Sequence, residues 1–294
     1  MPNQATLSFW KQALDELAKV PLEATLEQVA EKSGREYTTY RVIMRSIGGQ
    51  RIRAWYSVPN YLPVGGRFAA VLTAPGYGGE RPIPVQLVME GHAVLTLFPR
   101  GQGESLAEGK LESGTKLTHS LTNRQRYYYR SAYMDCVRGL DFLCSRPELD
   151  PGRLGMWGHS QGGGFTLATA ALDSRVRVAV AEEPFLCSYP VAVDIAAHPY
   201  AELKGYLAAH PTEREAALET LAYFDCLNLA DAIKCPTLMN IGMRDEACPY
   251  GTIMPVFERI RSLKALMVYP DLAHQSCADF NDHAHRWLRR YLGS

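Results

Sequence analysis

The sequence has no surplus of charge of either sign. Lysine plus arginine number 31 and aspartate plus glutamate number 31, so the formal net charge is zero. Gripping nucleic acid through its phosphates calls for a basic surplus, and none is expected here as a partner. Zero net charge also leaves little repulsion between copies, which favours self-association. No apolar run reaches the length of a membrane span, so no membrane partner is expected either. The opening stretch MPNQATLSFWKQALDELAKV patterns as an amphipathic helix and lacks the apolar core of a secretory leader. No CxxC pair occurs among the seven cysteines, Cys136, Cys144, Cys187, Cys226, Cys235, Cys248 and Cys277. An odd count at scattered spacing predicts neither a disulfide framework nor a metal site. It predicts buried thiols in a reducing cytoplasm. Internal repeats, low-complexity tracts and linkers are also missing, so one domain spanning 1–294 is the simplest organisation.

What is present is a large apolar fraction, 47%, arranged in short runs. Tyr37–Ser46 and Arg51–Pro59 flank the turn IGGQ and read as a β-hairpin. FAAVLTA, HAVLTLF, RLGMWGH, RVRVAVAEE, PTLMNIG and ALMVYP read as buried strands. Helical stretches alternate with them: VQLVMEG, RSAYMDCVRGLDFLCSR, GGFTLATAAL, a segment from about Ile253 to Leu263, and ADFNDHAHRWLRRYL. Alternation of this kind predicts an α/β fold, a mostly parallel doubly wound sheet with an N-terminal antiparallel hairpin. Between about 184 and 232 two polar helices replace the expected single crossover. They predict a helical insertion over the C-terminal edge of the sheet, where ligands bind in such folds.

The stretch GMWGHSQGGGF places Ser160 in a Gly158-x-Ser160-x-Gly162 pattern between a predicted strand and a predicted helix. A nucleophilic serine on a sharp strand-to-helix turn needs neighbours without side chains, because the backbone is tight there. The bare pattern arises by chance; the strand–turn–helix context is what gives it weight. In hydrolases with this turn the acid and then the histidine follow the serine. Asp245 follows the strand PTLMNIG, and His274 follows the last strand, in YPDLAHQS. The chemistry assigns attack to Ser160, proton transfer to His274 and tautomer control to Asp245. Asp245 has a second reading, as the cap of the helix after it. Glu246 fits the acid role less well. His283 and His285 read as solvated positions on the last helix, and His159 as pointing away from the serine. An oxyanion hole needs backbone N–H donors. Gln161 supplies one by its place after the nucleophile, and Tyr77, in the loop PGYGGE, is the natural second.

At this point the chain resembles carbohydrate esterase family 7, the acetyl xylan esterases and cephalosporin C deacetylases of the α/β-hydrolase superfamily. The likeness rests on RGQG at Arg100–Gly103, GHSQGGG around Ser160, YYYRSAYMDCVRGLDFL before it, EEPFLC, HPYAEL and TLAYFD in the insertion, and FWKQALDEL near the start. It implies a serine esterase without cofactor or metal, acting on short acyl esters of sugars and similar small alcohols through an acyl-enzyme. It implies a triad of Ser160, Asp245 and His274, an oxyanion hole at Tyr77 and Gln161, and a hexamer with a narrowed entrance. It also implies that the Tyr77 ring covers the site, that Phe185 walls the acyl pocket, and that Arg100 and Gln102 brace the surrounding loops. The sequence departs from the family in two places. Gln275 follows His274 where the family has glutamate, and Ala247 stands where a larger aliphatic residue is common. A smaller wall widens the acyl pocket, so Ala247 points to a wider acyl range. A broader carboxylesterase is the neighbouring expectation. A non-catalytic binding homologue requires a broken triad, which this sequence does not have.

Overall fold

A computed structural model describes residues 4–61, 66–111, 113–195 and 197–293. The chain order is α1 (Gln4–Ala18), β1 (Thr25–Gln28), β2 (Tyr37–Arg45), β3 (Arg51–Pro59), β4 (Phe68–Thr73), α2 (Val85–Met89) and β5 (Ala93–Phe98). It continues with α3 (Tyr128–Ser145), β6 (Leu149–His159), α4 (Gln161–Leu172) and β7 (Val176–Glu182). Four helices follow, α5 (Tyr189–Ala192), α6 (Ala201–Ala209), α7 (Arg214–Phe224) and α8 (Cys226–Leu229). The chain closes with β8 (Thr237–Gly242), α9 (Tyr250–Arg259), β9 (Lys264–Tyr269) and α10 (Ala278–Leu292). Among the described residues no helix is long and apolar enough to cross a membrane.

Among the described residues nine strands form one sheet in the order β1-β2-β3-β5-β4-β6-β7-β8-β9. The pairings from β1 to β5 are antiparallel, and those from β5 through β4 to β9 are parallel. β4 shows why the middle strands read as unbroken apolar runs. Phe68, Ala70 and Leu72 face a core shared with α1, α3 and α4, while Ala69 and Val71 face a second core under α2 and α10. Helices on both faces leave no polar side to alternate with.

The winding reverses between β4 and β6. The chain runs outward from β4 to β5 and then returns to the other side of β4 as β6. A crevice opens at the carboxyl ends of strands at such a point. The loop carrying Tyr77 leaves β4 there, and Ser160 stands at the end of β6.

Several details differ from the sequence expectations. β9, read as buried, is only partly so, with Val268 exposed. Among the described residues the insertion holds four α-helices where two were expected. β1 was not foreseen, because TLEQ is a short, largely exposed edge strand without a buried face. α9 begins and ends earlier than expected, with Pro249 as its N-cap residue and Ile260 already extended. His285 is not solvated: it is buried, edge-on to Trp157 at 5.1 Å, and its Nδ1 lies 2.8 Å from Glu90 Oε2. It falls on the same stripe of α10 as Phe280, Ala284 and Leu288, which explains its burial. His283 is exposed.

Candidate active site

Ser160 is held at φ 56°, ψ −121°, a conformation side chains rarely adopt. Its N–H donates to Glu182 O (2.9 Å), and its own carbonyl accepts from Phe185 N (2.9 Å) and Gly164 N (3.0 Å). These bonds knit the ends of β6 and β7 around the turn. The flanking glycines are steric requirements. A Cβ on Gly158 would stand 2.2 Å from the Gly162 backbone, and one on Gly162 would stand 2.4 Å from Ala74 O. The turn thus lifts the hydroxyl off the end of the sheet, at the N-terminus of α4.

The loops after β8 and β9 bring the partners. His274 Nε2 lies 2.9 Å from Ser160 Oγ, and its Nδ1 lies 2.7 Å from Asp245 Oδ2. The carboxylate fixes the tautomer, with Nδ1–H donating to Oδ2 and Nε2 accepting from the hydroxyl. Asp245 Oδ1 accepts from the N–H groups of Ala247 (2.8 Å) and Cys248 (2.7 Å). The helix-cap reading of this residue does not hold, because α9 starts later with Pro249 as its N-cap residue. One oxygen faces the histidine, and the other organises the turn before that helix. Glu246 is exposed. Burial alone would lower the His274 pKa, but above all the hydrogen bond and charge of Asp245 hold it above its ordinary value. A hydroxyl so placed can pass its proton to the imidazole as it attacks an acyl carbon.

Gln161, the first residue of α4, ties the serine to the β4 loop. Its Nε2 donates to Gly76 O (3.0 Å) and Gln102 Oε1 (2.9 Å), and its Oε1 accepts from Tyr129 OH (2.9 Å). Gln102 in turn donates to Tyr128 OH (2.6 Å), which donates to Arg100 O (2.9 Å). Arg100 forks onto the buried Asp135, Nε to Oδ2 at 2.9 Å and Nη2 to Oδ1 at 2.7 Å. Arg100 and Gln102 thus lie behind the site as braces. The backbone N–H of Gln161 belongs to the first turn of α4, whose donors point away from the helix toward the crevice.

Tyr77, on the loop after β4, sits in a layer built of side chains. Its ring meets Phe185 edge-on at 5.8 Å and His198 at 5.5 Å, and Lys116 Nζ lies 4.3 Å from its centre. Its hydroxyl donates to Glu202 Oε2 at 2.5 Å. Burial and this hydrogen bond push the phenol well above its ordinary pKa. Phe185 is fully buried and packs on Tyr200 at 4.3 Å. Ala247 is half-buried, and Gln275 is exposed.

Two residues were missed in the sequence. His159 does not point away: its ring stacks on His274, with centroids 4.9 Å apart and planes 30° apart. Its Nε2 lies 3.1 Å from Oε2 of Glu183, a carboxyl whose side chain is fully buried. The same oxygen is 3.6 Å from His274 Nδ1. Burial first, then the charge of Asp245, push Glu183 up to about 8, and burial brings His159 down to about 4. The signal available was the pair of acids ending the buried strand VAVAEE. Glu182, the other acid, accepts from Ser276 Oγ (2.9 Å) and Cys277 N (3.2 Å), and so anchors the loop that carries His274. His159, Glu183 and His274 offer ligand atoms close enough for one ion, as do Asp245, Cys248 and His274. Stacked imidazoles do not converge their in-plane lone pairs on a point about 2 Å from each, so the first group is a poor metal cage.

A family model described as acetyl xylan esterase matches residues 3–291. The acetyl esterase Axe7A of Xylanibacter ruminicola is 28% identical over 97% of this chain. The chain spans 66% of the length of that relative, less than two thirds. Among solved structures, the acetyl xylan esterase from Paenibacillus sp. R4 superposes with a TM-score of 0.93 at 32% identity, covering 99% of this chain and 96% of that one. Acetyl xylan esterase 1 from Thermoanaerobacterium sp. JW/SL YS485 gives 0.91 at 30% identity, covering 99% and 94%.

Proposed function

This chain belongs to the acetyl xylan esterase family, carboxylic ester hydrolases of the α/β-hydrolase fold, and from that premise we propose that it is a serine esterase releasing short acyl groups, chiefly acetyl, from sugars such as xylo-oligosaccharides and from cephalosporin-type alcohols. The observation that carries the proposal is the unbroken chain from Ser160 Oγ through His274 to Asp245, at 2.9 and 2.7 Å, on a strained turn. Ser160 attacks the acyl carbon while His274 takes its proton. The carbonyl oxygen becomes an oxyanion between the backbone N–H groups of Tyr77 and Gln161. His274 returns the proton to the leaving alcohol, and an acyl-enzyme remains. Water then repeats the sequence: His274 takes a proton from it, the acyl group leaves as the acid, and Ser160 regains its hydrogen. The balance closes without a cofactor.

In this reading Tyr77, Phe185 and Ala247 contact the substrate, and Phe185 and Ala247 bound the acyl group. The small Ala247 supports a second reading, a broader short-chain carboxylesterase. An oligomer, a hexamer by family resemblance, belongs to the same proposal and is supported by zero net charge. Free cysteines suit a reducing compartment and support a cytoplasmic location. A panel of p-nitrophenyl esters and acetylated xylo-oligosaccharides tests the activity, with fluorophosphonate labelling to locate the nucleophile. Turnover with label on Ser160 is expected; no label and no turnover would sink the reading. Light scattering that returns a monomer at micromolar concentration would remove the oligomer.

A further inference from the structure

The catalytic-site histidine faces two carboxyls. Asp245 comes from the loop after β8 and meets His274 Nδ1 at 2.7 Å. Glu183 comes from the end of β7 and lies 3.6 Å from the same nitrogen. Glu183 is held there by its backbone. Its φ is +42°, which turns the side chain under the imidazole, and its N–H donates to Asn240 Oδ1 at 2.8 Å. Its Oε2 contacts His159, whose ring lies flat on His274. Among the described residues its Oε1 has no hydrogen-bond partner. A carboxyl group buried beside the reacting imidazole is not explained by the triad alone.

We propose that Glu183 is a second acid on His274: a positioning residue that holds His159 against the catalytic-site imidazole and takes over the orienting role when the charge of Asp245 is removed. The inference rests on the serine esterase reading above. Its logic is that two carboxylates sharing one nitrogen do not both ionise at neutral pH. Asp245 accepts from two backbone N–H groups, whereas Glu183 has no such pair among the described residues. Glu183 carries the proton and donates it to Nε2 of His159, which is neutral. The other groups around Glu183 push both ways. Glu182 on β7 opposes its ionisation and His274 favours it, as does the nearby backbone N–H of Gln275. Cys248, from the β8 loop, is a buried neutral thiol. Arg81, from the β4 loop, interacts with Glu182 and with His159. Asp245 is the largest charge opposing ionisation, so its removal moves the Glu183 carboxyl below its value of about 8. The carboxylate then appears where Nδ1–H can donate to it.

The test is Asp245→Asn against Asp245→Asn/Glu183→Gln on p-nitrophenyl acetate. The asparagine Oδ1 can still accept from Ala247 and Cys248, so the turn is preserved. Loss of the acid in a triad otherwise costs about 10⁴ in kcat by freezing the wrong tautomer. Here Asp245→Asn is expected to lose only about 10²-fold at alkaline pH, and the added Glu183→Gln to remove roughly another 10²-fold, more than it removes from the Asp245 enzyme. The rate of Asp245→Asn relative to wild type should climb between about pH 6 and about pH 9 as Glu183 ionises. That ratio needs no substitution at Glu183, so it decides the matter even if the double variant fails to fold. A flat or falling ratio, or equal rates for single and double variants, overturns the inference and leaves the esterase reading intact. A wild type without turnover on any short acyl ester overturns both.

Discussion

Below and above the reactive hydroxyl, the crevice is made of different materials. Below it, Ser160 is fixed by backbone: a left-handed φ, three main-chain hydrogen bonds and two glycines with no room for a methyl group. Above it, the Tyr77 layer is fixed by side chains from separate segments, Phe185, Lys116, His198 and Glu202. Main-chain construction tolerates no substitution and keeps chemistry constant. Side-chain construction changes one residue at a time. Failure below should therefore be all-or-none, and failure above graded and selective.

The largest effects test the lower half. Ser160→Ala should cut turnover of p-nitrophenyl acetate by about 10⁶-fold, since a triad acts as a unit. Substantial turnover in that variant would move the nucleophile elsewhere. Gly158→Ala removes no chemical group, yet its Cβ would sit 2.2 Å from main-chain atoms of Gly162. Overpacking of flexible side chains costs about 1–3 kcal/mol, and backbone against backbone cannot yield as readily, so the cost should exceed that range. Thermal unfolding should show a drop of at least about 6–12 °C or no folded protein, on the rough scale of 2–4 °C per kcal/mol for chains of 150–250 residues. A folded, active Gly158→Ala enzyme would break the contrast.

The next effect crosses to the pocket and should be selective. Each buried methylene is worth roughly 1 kcal/mol in a fitted apolar pocket, and overfilling reverses the sign. Ala247→Ile should leave acetyl kcat/KM nearly intact and depress butyryl by about tenfold or more. Both esters are compared within one enzyme, so expression and stability cancel. If both fall together, residue 247 disturbs the Asp245 turn through its N–H, 2.8 Å from Oδ1, and does not face the acyl group.

The same division governs how much was legible. Buried strands announce themselves, because both faces of FAAVLT are covered. Ser160 was read from its glycine-flanked turn between strand and helix, and Asp245 and His274 from their order on loops after strands; the structure brings the three within hydrogen-bond reach. His159 and Glu183 were not found. Their meeting depends on β6 and β7 lying in register, His159 opposite Glu182, and on the left-handed turn at Glu183 that sends the next side chain under His274. A turn of that kind at a glutamate has no compositional mark. His285 was misassigned although its spacing with Phe280, Ala284 and Leu288 carried the answer, since the histidine side chain was weighed by type and not by position. The Tyr77 layer was only partly readable. The loop PGYGGE offered Tyr77 as a backbone donor, and the ring's place was expected from the family resemblance alone, while Lys116 and Glu202 come from segments whose approach no local pattern encodes.

The smallest effect probes whether the two halves are separable. Tyr77 belongs to both: its ring is held by side chains, and its backbone N–H is the proposed oxyanion donor. Glu202→Gln keeps a hydrogen-bond acceptor for Tyr77 OH but removes the charge. Hydrogen bonds to charged groups are worth about 1.5–3 kcal/mol and neutral ones about 0.5–1.5, so the ring should be held about 1 kcal/mol less firmly. The variant also removes a charge that favours the protonated form of Lys116, whose pKa is lowered by burial. If the layer governs access alone, KM for an acetylated sugar should rise about fivefold with kcat unchanged, and the small p-nitrophenyl acetate should barely notice. If kcat for both substrates falls together, the grip on the ring also positions the N–H beneath it. The layer would then be part of the chemistry, and the distinction between backbone below and side chains above would fail at Tyr77.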